Sequence, residues 1–241
     1  MLFQATILER SSSHVKMDSV ASKTHRAERR TDALSKERIV ETAIEILDTE
    51  GENALTFRAL TARLATGAGA IYWHVANKNE LLTAAADDVI AKVMAGVVDS
   101  SEPEETIRAI ALGLFDAIDA HPWVGARLAP EPWTGILQIF EGIGAQIQAL
   151  GVPPRALFNS ASALVNYILG VAGQNAANAR MLGHRGDRTA FLATVADRWT
   201  ERDPVDYPFA HQVAPQLRDH DDREQFLAGI DLILAGIATL R

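Results

Sequence analysis

The sequence of 241 residues contains no cysteine, which excludes disulfide bonds, thiolate metal sites and thiol nucleophiles. It contains no uninterrupted apolar run of about 18 residues, so we expect no membrane-spanning helix and no membrane partner. The N-terminus lacks the charged segment and apolar core that are typical of a signal peptide. Together these absences lead us to expect a cytoplasmic protein.

Three common catalytic patterns are also missing: a glycine-rich phosphate loop, a His-Glu-x-x-His zinc motif and a Gly-x-Ser-x-Gly nucleophile turn. Histidines in the C-terminal half are scattered and suggest no metal cluster; they are His121, His184, His211 and His220. We therefore expect no catalytic residues, no metal and no cofactor. An enzyme with a helical accessory head remains an alternative.

Charge is unevenly distributed along the chain, whose net charge is −8. Residues 1–85 hold 11 basic and 11 acidic side chains, whereas residues 86–241 hold 12 and 20. A neutral front and an acidic rear indicate two modules with different partners. We divide the chain into a disordered basic arm (1–34), a first domain (35–83) and a second domain (84–241).

Helical periodicity begins at Ser35 and no stretch shows useful β-alternation, so we predict an all-α protein. The predicted helices are 35–51, 56–65, 66–75, 77–98, 104–120, 121–129, 131–150, 154–182, 188–202 and 222–240. Residues 203–216 contain three prolines and are predicted to be irregular. Predicted N-caps are Ser35, Thr56, Thr66 and Asn77, the last with Glu80 in a capping box.

Two short helices joined by a tight turn, after a stabilising first helix, are the elements of a helix-turn-helix. Small residues at 67–70 allow the backbone to approach a DNA groove closely. Tyr72 offers a hydroxyl to a phosphate, and Trp73 and His74 can contact base edges or sugars. Lys78, at the start of the next helix, is placed to hold a phosphate together with helix-start amides. The alternative is that the Tyr-Trp pair simply packs in a core.

The segment LTFRALTARLATGAGAIYWHVANKNELL resembles the DNA-binding domain of the tetracycline-repressor (TetR) family, and the similarity covers about residues 35–95. The resemblance implies a three-helix head, a fourth helix that joins it to a helical-bundle ligand-binding and dimerisation domain, and a homodimer on a palindromic operator. It also implies that Arg58 reads a base. The expected DNA-contacting set is Thr56, Arg58, Thr66, Ala68, Gly69, Ala70, Tyr72, Trp73, His74 and Lys78. Ala68, Gly69 and Ala70 replace larger reading residues, so we expect specificity to depend more on Arg58 and on DNA shape.

The basic arm offers Lys23, Arg26, Arg29 and Arg30 for additional phosphate or minor-groove contacts. A solvated tail without DNA contacts is the equally supported alternative.

The second domain is rich in aromatic and amphipathic side chains, as expected for a mostly apolar ligand cavity in a helical bundle. Candidate ligand contacts are Phe115, His121, Trp123, Arg127, Trp133, Phe140, Asn166, Tyr167 and Gln174. Simple core packing is the alternative for the aromatic residues, and hydrogen-bonded amides in the core are the alternative for Asn166 and Gln174. HPWVGARLAPEPWTG and ASALVNYILGVAGQ also resemble the family. The resemblance places Asn166 and Gln174 where tetracycline-binding members have a histidine and a glutamate. Amides are poor replacements around a hard cation, so we predict a metal-free effector other than magnesium-tetracycline.

Small residues are frequent in two helices, 154–182 and 222–240, and would allow close helix contacts across a homodimer. Packing of the same faces within one chain is the alternative. The sequence thus predicts a ligand-responsive, homodimeric regulator of transcription, most simply a repressor. A DNA-binding protein without an effector is the remaining alternative.

Overall fold

The computed structural model describes residues 34–98, 100–125, 127, 134–182 and 188–241, and all regular elements in these residues are α-helices. The all-α prediction is therefore confirmed. The helices are α1 Lys36–Thr49, α2 Phe57–Leu64, α3 Ala68–Tyr72, α4 Lys78–Gly96, α5 Pro103–Ala120, α6 Pro122–Gly125, α7 Thr134–Ala149, α8 Pro154–Leu182, α9 Arg188–Thr200, α10 Pro208–Arg218 and α11 Asp222–Ala238. The basic arm, with its four cations, and Trp133 lie outside the described residues.

Three helices begin at the predicted capping residues. Ser35 Oγ accepts the amide of Arg38 at 3.2 Å, and Thr56 Oγ1 accepts the amide of Ala59 at 3.1 Å. Asn77 Oδ1 accepts the amide of Glu80 at 2.9 Å, and the Glu80 carboxylate in turn accepts the amide of Ala76. The prediction for Thr66 is wrong, because α3 begins after Gly67, which makes no side-chain cap.

The prediction of an irregular segment at 203–216 is also wrong, because α10 occupies Pro208–Arg218. Pro208 is in the first turn, where an amide donor is not needed, so it favours the start of a helix. Pro215 lies inside the helix, and buried Ala214 lies beside it. α10 packs on α9 as a helical hairpin, and this tertiary contact compensates for the local cost of Pro215.

α4 connects the two ends of the molecule. It packs on α1 at the N-terminal side and on α5 and α7 at the C-terminal side. Its buried positions are adjacent pairs that recur every four residues along most of the helix: Leu81 and Leu82, Ala85 and Ala86, and Val89 and Ile90. A displacement of α4 must therefore disturb the packing of both ends.

α8 and α11 approach each other closely at one glycine. Tyr167 on α8 donates its hydroxyl to the carbonyl of Phe226 at 3.2 Å, and its ring stacks on that of Phe226 with centroids 5.8 Å apart. Burial raises the pKa of the Tyr167 phenol above its usual value. A Cβ at Gly229 would overlap the Tyr167 hydroxyl, so only glycine fits this position without rearrangement.

We expect Gly229→Ala to lower the free energy of unfolding by about 2 kcal/mol, because the new methyl group forces Tyr167 and its hydrogen bond to move. Urea denaturation followed by circular dichroism measures this loss. Gly144→Ala on α7 is the control: its Cβ would have no atom within 4 Å, so it should be neutral or stabilise by up to about 1 kcal/mol. Equal effects of the two substitutions would contradict the steric explanation.

α8 has a further property that the sequence criterion missed. By length and composition, the span Pro154–Ala179 is apolar enough to cross a membrane, with a mean hydropathy of 1.3. The criterion of an uninterrupted apolar run failed here because polar residues interrupt the span. One such helix is weak evidence for a membrane, since core helices of soluble proteins pass the same test.

Candidate nucleic-acid interface and ligand cavity

The turn between α2 and α3 is set by a left-handed residue. Ala65 has φ 49° and ψ 43°, and the amides of Ala65 and Thr66 both bond to the carbonyl of Thr61. Leu60 and Leu64 on α2 and Ile71 on α3 are buried. The inner faces of the two helices are therefore fixed to the core, and α3 presents its outer face to solvent.

Two aromatic residues stand on this outer face. Trp73 is 89% exposed and Tyr72 is 54% exposed. The Tyr72 ring stacks on Phe57 with centroids 4.5 Å apart and planes 9° apart, so it is oriented although it is accessible. The core-packing alternative for this pair is thereby removed.

The backbone around the start of α3 is uncovered. Gly67, Ala68 and Gly69 are exposed, and a Cβ at either glycine would have no atom within 4 Å. Thr66, Ala70 and His74 are partly buried. This surface admits the close approach of a DNA backbone or groove.

Cations flank the aromatic face. Arg58 is exposed and follows Phe57 in the chain. The stacking of Phe57 on Tyr72 holds the start of α2 near the end of α3. Lys78 is partly buried, and its Nζ donates to the carbonyl of Glu52 at 2.6 Å. Lys78 must leave this carbonyl to reach a phosphate. Thr56, also in the expected set, is exposed but uses its hydroxyl as the cap of α2.

We expect Ala65→Gly to raise the free energy of unfolding by about 0.5–1 kcal/mol, because glycine relieves the left-handed strain. Gly51→Ala is the matched variant, and we expect it to change the free energy of unfolding in the opposite direction. Gly51 has φ 81°, and no atom lies within 4 Å of a Cβ placed there, so conformational strain alone should cost about 1 kcal/mol. Thermal unfolding measures both variants, and a destabilised Ala65→Gly protein would contradict this account.

Three residues expected to bind ligand instead contact the head. Asp48 at the end of α1 accepts from Trp123 Nε1 at 2.7 Å and lies 2.8 Å from His121 Nδ1. Arg127 pairs with Glu52 at 2.5 Å and donates to the side chain of Asn79 at 3.1 Å. We use the name junction for these two groups of contacts, one made by Asp48 and the other by Arg127. No local sequence pattern indicates them, because the partners are far apart in the chain.

A cavity of about 800 Å³ lies between α5, the C-terminal half of α8, the α9–α10 hairpin and the start of α11. It is lined by Phe115, Asp119, Val171, Gln174, Asn175, Asn178, Ala179, Arg188, Phe191, Leu192, Leu217, His220, Asp221, Asp222, Arg223 and Gln225. Of the expected ligand residues, only Phe115 and Gln174 are among them.

The other expected ligand residues that the structure describes lie elsewhere. Phe140 packs beside Phe158 with ring centroids 5.9 Å apart, and Tyr167 contacts α11 as described above. Asn166 is exposed on α8. Sequence reasoning missed most of the lining because Asp119, Arg188 and Gln225 meet only when α5, α9 and α11 are assembled.

Both arginines that line the cavity in the described part of the chain are already paired. Arg188 contacts Asp222 at 2.5 Å and donates to the carbonyl of His220, while Arg223 contacts Asp116 at 3.4 Å. The amide of Glu224 bonds to the Asp221 carboxyl, which caps α11, and lowers its pKa. Within the described ranges, no three His, Asp or Glu side chains converge as metal ligands.

A family model, a curated relative and solved structures all relate this chain to the same kind of protein. Residues 39–85 match the family model "Bacterial regulatory proteins, tetR family". An HTH-type transcriptional regulator from Saccharopolyspora erythraea is 28% identical over 207 residues, which cover 85% of each chain. A solved TetR transcriptional regulator from Streptomyces coelicolor is 54% identical with a TM-score of 0.79, covering 86% of this chain and 99% of that one. ActR from the same organism, solved with actinorhodin, is 23% identical with a TM-score of 0.70 over 86% of this chain and 98% of its own, and shares the fold.

Proposed function

Because this chain belongs to the TetR family of bacterial transcriptional regulators, we propose that it is a homodimeric repressor that leaves a palindromic operator when a small molecule binds its second domain. The observation that carries the proposal is the aromatic outer face of α3, where Trp73 and Tyr72 are exposed beside Arg58. The proposed domains are the head at 35–83 and the effector and dimerisation domain at 84–241.

DNA contact is assigned to the face formed by the start of α2, α3 and the start of α4. Arg58 reads a base, Tyr72 and Lys78 hold phosphates, and Trp73 contacts sugars or base edges. The exposed small residues at 67–69 allow α3 to lie close to the major groove.

Dimerisation is assigned to an exposed stripe of mostly small residues on α8 and α11. On α8 the stripe comprises Ala163, Asn166, Gly170 and Ala177, and on α11 it comprises Ala228, Leu232 and Ala235. Leu232 is 75% exposed, and a Cβ at Gly170 would have no atom within 4 Å. Two copies of this stripe form a four-helix interface, which also explains why α8 is apolar in a cytoplasmic protein.

Release is assigned to the second domain. ActR was solved with actinorhodin, and a ligand in the cavity of this chain would lie beside Phe115 and Asp119 at the end of α5. His121 and Trp123, which follow directly, contact Asp48 of the head. A ligand that favours one arrangement of this junction shifts the population of head orientations, and with it the spacing of about 34–36 Å that two successive major grooves require. The effector is proposed to be metal-free.

Selection of bound duplexes from a random DNA pool tests this function. The expected result is a palindrome with two equivalent half-sites whose binding falls steeply with salt. Enrichment of no sequence, or of unrelated single sites, would contradict the repressor and favour a different role for the head. A screen for small molecules that release the selected duplex then separates this function from that of a DNA-binding protein without an effector.

A further inference from the structure

Among the described residues that line the cavity, Asp119 carries a carboxylate without a partner. Both arginines of the wall are neutralised, Arg188 by Asp222 and Arg223 by Asp116. Asp221 is a helix cap with a lowered pKa and stays ionised. Asp119 forms no hydrogen bond or ion pair in the part of the chain that the structure describes. Asp119 is exposed, so among the described residues of the cavity wall the remaining unpaired charge is negative and accessible.

Uncharged polar groups surround this carboxylate. The side chains of Gln174, Asn175 and Asn178 on α8 and of Gln225 on α11 line the cavity and have no partner among the described residues. Amides offer both donors and acceptors, so they suit hydroxyl, carbonyl or amine substituents on a ligand.

Aromatic rings provide the apolar part of the wall. Phe115 is almost fully buried, whereas Phe191 is 42% exposed although it lines the cavity. An exposed phenyl ring that faces a cavity gains contact area when a flat apolar body lies against it. A volume of about 800 Å³ is sufficient for a drug-sized polycyclic molecule.

We propose that this cavity binds a planar aromatic cation with hydrogen-bonding substituents, its positive charge beside Asp119 and its ring system against Phe191. The proposal rests on the repressor function above, for which this ligand class is the effector. An anion of the same shape meets two arginines that already face Asp222 and Asp116, and it is repelled by the unpaired Asp119 carboxylate.

Asp119 is also close in the chain to a residue that contacts the head. Asp119 lies two residues before His121, which contacts Asp48 at the end of α1. A ligand held beside Asp119 therefore lies at the end of α5, immediately before the junction.

Two xanthene dyes with the same ring system and opposite charge provide the test. Rhodamine 6G is a cation and fluorescein is an anion at pH 8, and the binding of each to the full-length protein without DNA is followed by fluorescence anisotropy. We expect rhodamine 6G to bind at least about tenfold more tightly than fluorescein, and Asp119→Asn to reduce this ratio about tenfold. Glu141→Gln removes an exposed carboxylate on α7 outside the cavity and should leave the ratio unchanged.

A second variant tests the ring contact. Phe191→Ala alters an exposed side chain, so the protein should remain folded, and both dyes should lose affinity by about three- to tenfold. Equal or tighter binding of fluorescein, failure of both dyes to bind, or binding of rhodamine 6G that neither Asp119→Asn nor Phe191→Ala changes would overturn the proposal.

The selected operator separates this inference from the function on which it rests. Operator binding combined with a preference for the anionic dye contradicts only the ligand class. Dye selectivity without any operator contradicts the repressor function while the cavity chemistry stands.

Discussion

Replacing Arg58 with alanine is expected to weaken operator binding by about 100-fold and to relax sequence preference within each half-site. An arginine that reads a base contributes about 1–3 kcal/mol, and a dimer loses that contribution at both half-sites. Arg58 is exposed at the start of α2, so the folded structure should be unaffected. Titration of the selected duplex at fixed salt measures the loss.

Arg63→Ala is the matched control, since Arg63 lies on the same helix but pairs with Glu50. It should reduce affinity by less than about fivefold, as expected for an exposed ion pair. If both variants lose affinity equally and keep their sequence preference, Arg58 contributes only general attraction to DNA. Tyr72→Phe and Lys78→Ala should instead weaken all duplexes similarly, because phosphates carry no sequence information.

Replacing Gly170 with glutamate is expected to produce a monomer that has lost at least about 1,000-fold in operator affinity. Gly170 lies in the exposed stripe of α8, where a Cβ meets no atom of its own chain, so the monomer can fold. In the proposed interface the new carboxylates are buried close to the partner helix, and burial of an unpaired charge costs several kcal/mol. One head then binds only one half-site.

Analytical ultracentrifugation measures the assembly state of this variant, and circular dichroism confirms its helix content. Ala145→Glu provides the control, because Ala145 is exposed on α7 outside the stripe. A Gly170→Glu protein that remains dimeric and binds the operator normally would show that another face joins the two copies.

The head was predicted more accurately than the second domain, and the reason is the range of the interactions involved. The caps at Ser35, Thr56 and Asn77 bond to amides three residues ahead, so a short window of sequence contains both partners. Thr66 failed as a cap because the left-handed turn at Ala65 moves the start of α3 to Gly67. α10 was missed because its stability depends on packing against α9, which local sequence does not contain.

The sequence by itself determined the helical class and three of the caps that begin the helices of the head, because helix periods and caps are set by neighbours within one or two turns. Only the tertiary structure decided that His121, Trp123 and Arg127 contact the head and that Asp119, Gln174 and Phe191 share a cavity. These contacts join helices that are distant in the chain, and whether a polar side chain meets a partner, a ligand or solvent depends on how those helices assemble.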